Sequence, residues 1–211
     1  MTKWQRMARP LATVVLTGAL AASLQGCVGV VVGGAVVGSL AATDRRTLGA
    51  QTEDKEIAVK ANVRLSNVVG EAGHVDVTSY NRKVLLTGQV RDEQMKQAVA
   101  QEIKQIEGVQ GVMNELEIGG ISSFTSRSND VLITGKISAT YINERELNAN
   151  SIKVVTERGV VYLLGRVTEH EGKVAAELAS GVDGVNKVIK MFEYISEDEL
   201  KGMTAPQGAR S

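Results

Sequence analysis

The sequence predicts an α+β fold: two tandem copies of a helix–strand–strand–helix–strand unit, each a three-stranded sheet packed on two helices. Three observations predict it. Val84-Leu85-Leu86-Thr87-Gly88-Gln89-Val90 recurs 77 residues later as Val161-Tyr162-Leu163-Leu164-Gly165-Arg166-Val167. A glycine pair, Gly108-Val109-Gln110-Gly111-Val112, recurs as Gly181-Val182-Asp183-Gly184-Val185, 73 residues later. Within each copy the apolar period switches between the helical and the extended value.

The elements follow in order. Ile57, Ala61 and Leu65 stand at i, i+4 and i+8, as do Ile133, Ile137 and Tyr141, so each copy opens with an amphipathic helix. Val75 and Val77 alternate with Asp76 and Thr78, and Ile152 and Val154 flank Lys153, as in half-buried strands. Asn81-Arg82 and Arg158-Gly159 supply turns into the second strands, Val84–Val90 and Val160–Val167. Met95, Val99, Ile103 and Ile106, and then Val174 and Leu178, mark the second helices. The glycine pairs break those helices ahead of third strands over Val112–Ile118 and Val185–Ile195. The motif spacings differ by four residues, one helical turn, which predicts a second-copy helix one turn shorter.

The start of the chain has a different logic. Lys3, Arg6 and Arg9 precede an apolar run from Leu11 to about Leu24, the n- and h-regions of a secretory signal. The run is shorter than the ~20 residues that span a bilayer. It ends in Leu24-Gln25-Gly26-Cys27, which resembles the lipobox of bacterial lipoproteins. Cys27 is the only cysteine, so no disulfide explains it. Cleavage would leave Cys27 as the N-terminus, carrying a covalent diacylglycerol; no other cofactor is expected. Val28 in place of Asp implies, by the sorting convention of such lipoproteins, transfer to the outer membrane.

The remaining 185 residues carry 21 basic and 24 acidic side chains, a net charge of −3. A global attraction to nucleic acid is therefore not expected, and anion binding must come from a local patch. Val28–Ala42 is apolar, glycine-rich and uncharged. Gly29/Gly33 and Gly34/Gly38 fit a membrane-helix packing spacing, but 15 glycine-rich residues read better as a tether. The predicted organisation is a signal peptide over 1–26, lipidated Cys27 and tether over 27–51, repeat domains over 52–120 and 121–196, and a disordered tail over 197–211.

Val-x-Leu-x-Gly-x-Val, a helix, then Gly-Val-x-x-Val resembles the BON domain, a small αββαβ module of bacterial envelopes. Two copies behind a lipobox, with the stretch Ala42–Gln51 ahead of them, are similar to the dual-BON outer-membrane lipoproteins over nearly the whole mature chain. The resemblance implies a non-enzymatic role in outer-membrane integrity and at division sites, with the second domain binding anionic phospholipid. Family members tend to carry a bulky aromatic near the position of Leu132.

The two opening helices differ where such binding could reside. Leu132, Gly135, Ala139 and Ile142 form a second apolar stripe bordered by Lys136, whereas the first copy has Glu56, Val59, Val63 and Ser66 there. A helix apolar on two sides has something further to cover. Either the stripe meets lipid, with Lys136 reaching headgroups, or it packs on domain 1; the resemblance favours lipid. A membrane-tethered adaptor for another envelope protein is the alternative function. His74 and His170 have no second ligand at metal spacing, and Glu169, Glu171, Glu197, Asp198 and Glu199 read as helix-start and tail charges. No catalytic or metal site is predicted.

Overall fold

The computed structural model describes residues 44–204. The predicted signal peptide, Cys27 and the run to Ala42 lie outside the described residues. Domain 1 comprises α1 (Leu48–Val69), β1 (Gly73–Tyr80), β2 (Lys83–Val90), α2 (Glu93–Lys104), β3 (Gly111–Asn114) and β4 (Glu117–Ile118). Domain 2 comprises α3 (Phe124–Asn143), β5 (Ile152–Glu157), β6 (Val160–Val167), α4 (Glu169–Ser180) and β7 (Lys187–Tyr194), followed by α5 (Glu197–Thr204). Each sheet has an antiparallel hairpin whose second strand pairs in parallel with the third: β1–β2–β3 and β5–β6–β7. The expected αββαβ order is present twice.

The middle strands explain how the domains join. β2 and β6 are buried on both faces along most of their length, as central strands between two layers are. Val84, Leu86 and Val90 face the helices of domain 1, with Ile57, Ala61, Leu65, Val99 and Ile103. Leu85 points the other way and meets Tyr80, Tyr162 and Leu164 in a separate cluster. Val161, Leu163 and Val167 face α3 and α4, against Ile133, Ile137 and Tyr141. The layers therefore run helices, sheet, sheet, helices.

One device recurs in both domains. Asp54 on α1 accepts from Asn81 N at 2.7 Å and Arg82 N at 2.8 Å; Asp130 on α3 accepts from Arg158 N at 2.9 Å and Gly159 N at 2.8 Å. The donors are the left-handed residues of the two hairpin turns. A buried carboxylate thus ties each opening helix to the turn beneath it.

The second helices depart from expectation. Both have 12 residues, so copy two is not a turn shorter. The equivalent glycines are Gly108 and Gly184, with φ of 90° and 95°, because the turn after each helix needs a left-handed residue. Gly181 is right-handed, with φ −81°, so matching it to Gly108 put the repeat out of register. On α4 the buried face is Gly172, Ala175 and Ala179, while Val174 and Leu178 are half-buried. A Cβ at Gly172 would stand 2.9 Å from Tyr194 Cε1, so this helix approaches β7 too closely for larger residues. In domain 1 the third strand is interrupted at Glu115–Leu116, where Leu116 turns into the core.

Both ends of the folded part are more ordered than expected. Residues 197–204 form α5 rather than the start of a disordered tail, with Glu199 N on Ser196 Oγ at 3.1 Å and Glu199 Oε1 accepting from Arg166 Nη2 at 2.7 Å. The segment assigned to the end of the tether is also fixed. Thr47 caps α1, Arg46 stacks 4.2 Å from the Tyr80 ring centroid, and Arg45 grips Glu171 through two bonds of 2.7 Å. Arg45 Nη1 also donates to Arg166 O at 2.9 Å. Only 7% of the Arg45 side chain and 9% of that of Glu171 are exposed.

Asp130→Ala should orphan two turn N–H groups and lower unfolding free energy by about 2–4 kcal/mol in urea titration, with Asp130→Asn less severe. Burial raises the Glu171 carboxyl, but bonds from Arg45 and Thr168 outweigh it and hold the group below its ordinary 4.5. A depressed carboxylate contributes fully above its unfolded value and loses that contribution as pH falls through its folded one. The stability difference between wild type and Glu171→Gln should therefore be largest above about pH 4.5 and shrink on acidification. Urea midpoints of the two proteins between pH 3 and 7 check this.

Candidate functional site

Ser123 caps α3, its Oγ accepting from Ser126 N at 3.1 Å, and the helix then runs for 20 residues. Asp130, Ile133, Ile137 and Tyr141 are its buried side. Tyr141 Oη donates to Ala175 O at 2.7 Å, which anchors the C-terminal half to α4. Burial raises the Tyr141 pKa, so the hydroxyl remains a donor.

The opposite side is apolar and uncovered. Leu132, Gly135, Lys136, Ala139 and Ile142 are all exposed, so the predicted stripe exists as one surface. The option that it packs against domain 1 fails, because the domains meet through their sheets and α3 lies in an outer layer. The stripe extends beyond the sequence-derived set: Phe124 is 78% exposed, Val131 71%, Leu132 63% and Ile142 74%. Val131, Gly135, Ala139 and Ile142 follow helical three- and four-residue steps, and Phe124 stands seven residues, about two turns, before Val131, so the set covers roughly 27 Å of axis. Comparison of the two opening helices marks only Leu132 to Ile142; Val131, and Phe124 in the first turn of α3 beside the domain boundary, add to the same face. Phe124 also supplies an aromatic about two turns before Leu132.

Electrostatics on this face are simple. Between Val131 and Ile142 the only charged residue is Lys136, which is exposed and forms no ion pair with the described residues. On α1, Val59 and Val63 are exposed too, but Glu56, Lys60 and Arg64 surround them, with Lys60 Nζ 3.9 Å from Glu56 and Arg64 Nη1 3.7 Å from Glu102. From Val131 to Ile142 the α3 face is thus apolar with one free cation, and the α1 face is self-paired.

Beside α3 a cavity of about 390 Å³ is lined by His74, Asp76, Arg127, Asp130, Thr134 and Glu157, among others. Burial raises the Glu157 carboxyl; a 2.6 Å bond from Gln89 Nε2 works against that rise. Gln89 Oε1 accepts from Ser122 N at 2.8 Å, so these groups join the two domains. His74 lies 3.1 Å from Asp76 and His170 2.6 Å from Glu146. Among the described residues no three His, Cys, Asp or Glu side chains converge as metal ligands. Among them, too, no helix is long and apolar enough to cross a membrane.

No packing among the described residues requires glycine at position 135, since a Cβ there would meet nothing within 4 Å. Gly135→Ala should raise thermal stability by about 0.5–1 kcal/mol through helix propensity alone. Calorimetry of the variant checks it, and a loss of stability would mean that a neighbour covers this face.

The BON domain family profile matches residues 53–120 and 129–196. The chain is 39% identical over 174 residues to the outer membrane lipoprotein DolP of Haemophilus influenzae, covering 82% of this chain and 90% of that one. It is 33% identical over 154 residues to a 21 kDa hemolysin of Actinobacillus pleuropneumoniae, covering 72% and 79%. Among solved structures, the C-terminal domain of CdsD, a type III secretion structural protein of Chlamydia trachomatis, aligns with 63% of this chain and 96% of its own, at 8% identity and a TM-score of 0.29.

Proposed function

Since the chain belongs to the BON domain family, as a dual-BON outer-membrane lipoprotein anchored by lipid on the periplasmic side, we propose that domain 2 binds anionic phospholipid through α3 and so supports envelope integrity, including at division sites. Cys27 is the residue that carries the anchoring diacylglycerol. Leu132 and Ile142, with Phe124 and Val131, enter the acyl boundary. Gly135 and Ala139 let the helix lie close to the surface, and Lys136 reaches the phosphates.

The observation that carries this reading is the uncovered apolar stripe on an outer-layer helix, with one unpaired lysine at its border. Burying a Leu, Ile, Val or Phe side chain is worth about 1.5–3 kcal/mol, and a nearby lysine adds about 1 kcal/mol at an anionic surface. Contacts of that size are weak for a free domain. An anchor that already confines the chain to the membrane raises their effective concentration. The net charge of −3 makes the local lysine, rather than the whole molecule, the source of anion preference.

Soluble protein beginning at Thr43 should co-sediment with anionic vesicles and not with neutral ones. Leu132→Glu should abolish the binding, and Lys136→Glu, which removes one positive charge and adds a negative one, should weaken it by about thirtyfold at low salt. Phe124→Ser should cost as much as Leu132→Ser. If no vesicle composition retains the protein, while crosslinks from the same helix reach one envelope protein, the chain is instead a tethered adaptor.

A further inference from the structure

A second cleft, of about 390 Å³, opens between the two sheets where β3 begins. Met113 of domain 1 lines it together with Leu164 and Met191 of domain 2. Its volume lies within the roughly 300–1,000 Å³ typical of small-molecule pockets. Two methionines give the walls an adaptable, apolar surface.

Its charges are uneven. Lys83 comes from domain 1 and Lys190 from domain 2; both are exposed, and neither pairs with a carboxylate among the described residues. The acidic residue on the lining, Glu193, is already engaged: Asn81 Nδ2 donates to it at 2.7 Å and Arg166 Nε lies 3.8 Å away. The floor also holds a glycine that packing does not demand. A Cβ at Gly111 would meet only Lys83 Cγ, at 3.9 Å, and the equivalent position in domain 2 is Lys187. Gly111 thus leaves open a space that a side chain could fill.

We propose that this cleft binds a single-chain anionic amphiphile, its alkyl chain between Met113, Leu164 and Met191 and its anionic head at Lys83 and Lys190. Met113, Leu164 and Met191 offer an alkyl chain an apolar wall, and Lys83 and Lys190 have no carboxylate partner among the described residues. The cleft is separate from the outward face of α3, and its occupation does not depend on vesicle binding there.

The test uses the full lipidated chain in native outer-membrane vesicles, labelled with diazirine-bearing dodecanoate, dodecyl phosphate or dodecylammonium and mapped by mass spectrometry. The expected result is labelling of peptides containing Met113 and Met191 by one or both anionic probes and not by the ammonium. Labelling by dodecanoate alone identifies a fatty acid, and by the phosphate alone a phospholipid fragment. Gly111→Phe should reduce it about tenfold, Lys83→Glu with Lys190→Glu similarly, and Leu132→Glu not at all. The double charge variant carries the test if Gly111→Phe does not fold. Equal labelling by the ammonium, labelling confined to α3, or protection of the cleft by hexaglutamate but not by unlabelled dodecanoate would overturn the proposal.

Discussion

The face-to-face packing of the two sheets decides what the rest of the molecule can offer. Leu85, Tyr80, Tyr162 and Leu164 occupy the space between the sheets, so each sheet has only one face left for its helices. All four domain helices are thereby pushed to the outside. An outer-layer helix can present a second face to its surroundings, which a helix between two sheets could not. The exposure of the α3 stripe is a consequence of that layering as much as of its own residues.

Within each layer the buried aspartates hold the parts in register. Asp54 and Asp130 each satisfy two backbone donors of a tight turn, joining a helix to a hairpin far from it in sequence. Asp54 does more than Asp130. It also accepts from Ser79 Oγ at 2.6 Å and Arg46 Nη1 at 2.8 Å, so domain 1 and the segment preceding it share one hub. Burying a carboxylate is costly unless such bonds surround it. Here the cost is offset by donors that would otherwise be unpaired themselves.

The fold was legible in the sequence because its two periods are strong. Ile57, Ala61, Leu65 and Ile133, Ile137, Tyr141 are all buried as their spacing required. The register of the glycine pairs was not legible, since sequence similarity cannot tell a left-handed glycine from one that merely ends a helix. Nor could periodicity find Asp54 and Asp130, because a buried acid looks like a surface acid until its partners are known. The α3 stripe was partly legible. Leu132 to Ile142 stand out between the two copies, whereas the counterpart of Phe124 is Leu48, in the segment that the sequence places in the tether. Leu48 is itself exposed, so no contrast in burial marks that position.

The grip of Arg45 on Glu171 also sets how the molecule bears load. A pull arriving along the chain from its N-terminal side meets this doubly bonded pair, and the stacking of Arg46 on Tyr80, before it reaches the first turn of α1. Force is therefore delivered to the start of α4 and to the seam between the sheets, across several bonds strained together. Without the grip, the same pull would peel α1 from its end one turn at a time. The clamp makes domain 2, the domain with the uncovered apolar helix, the mechanical attachment point of the chain.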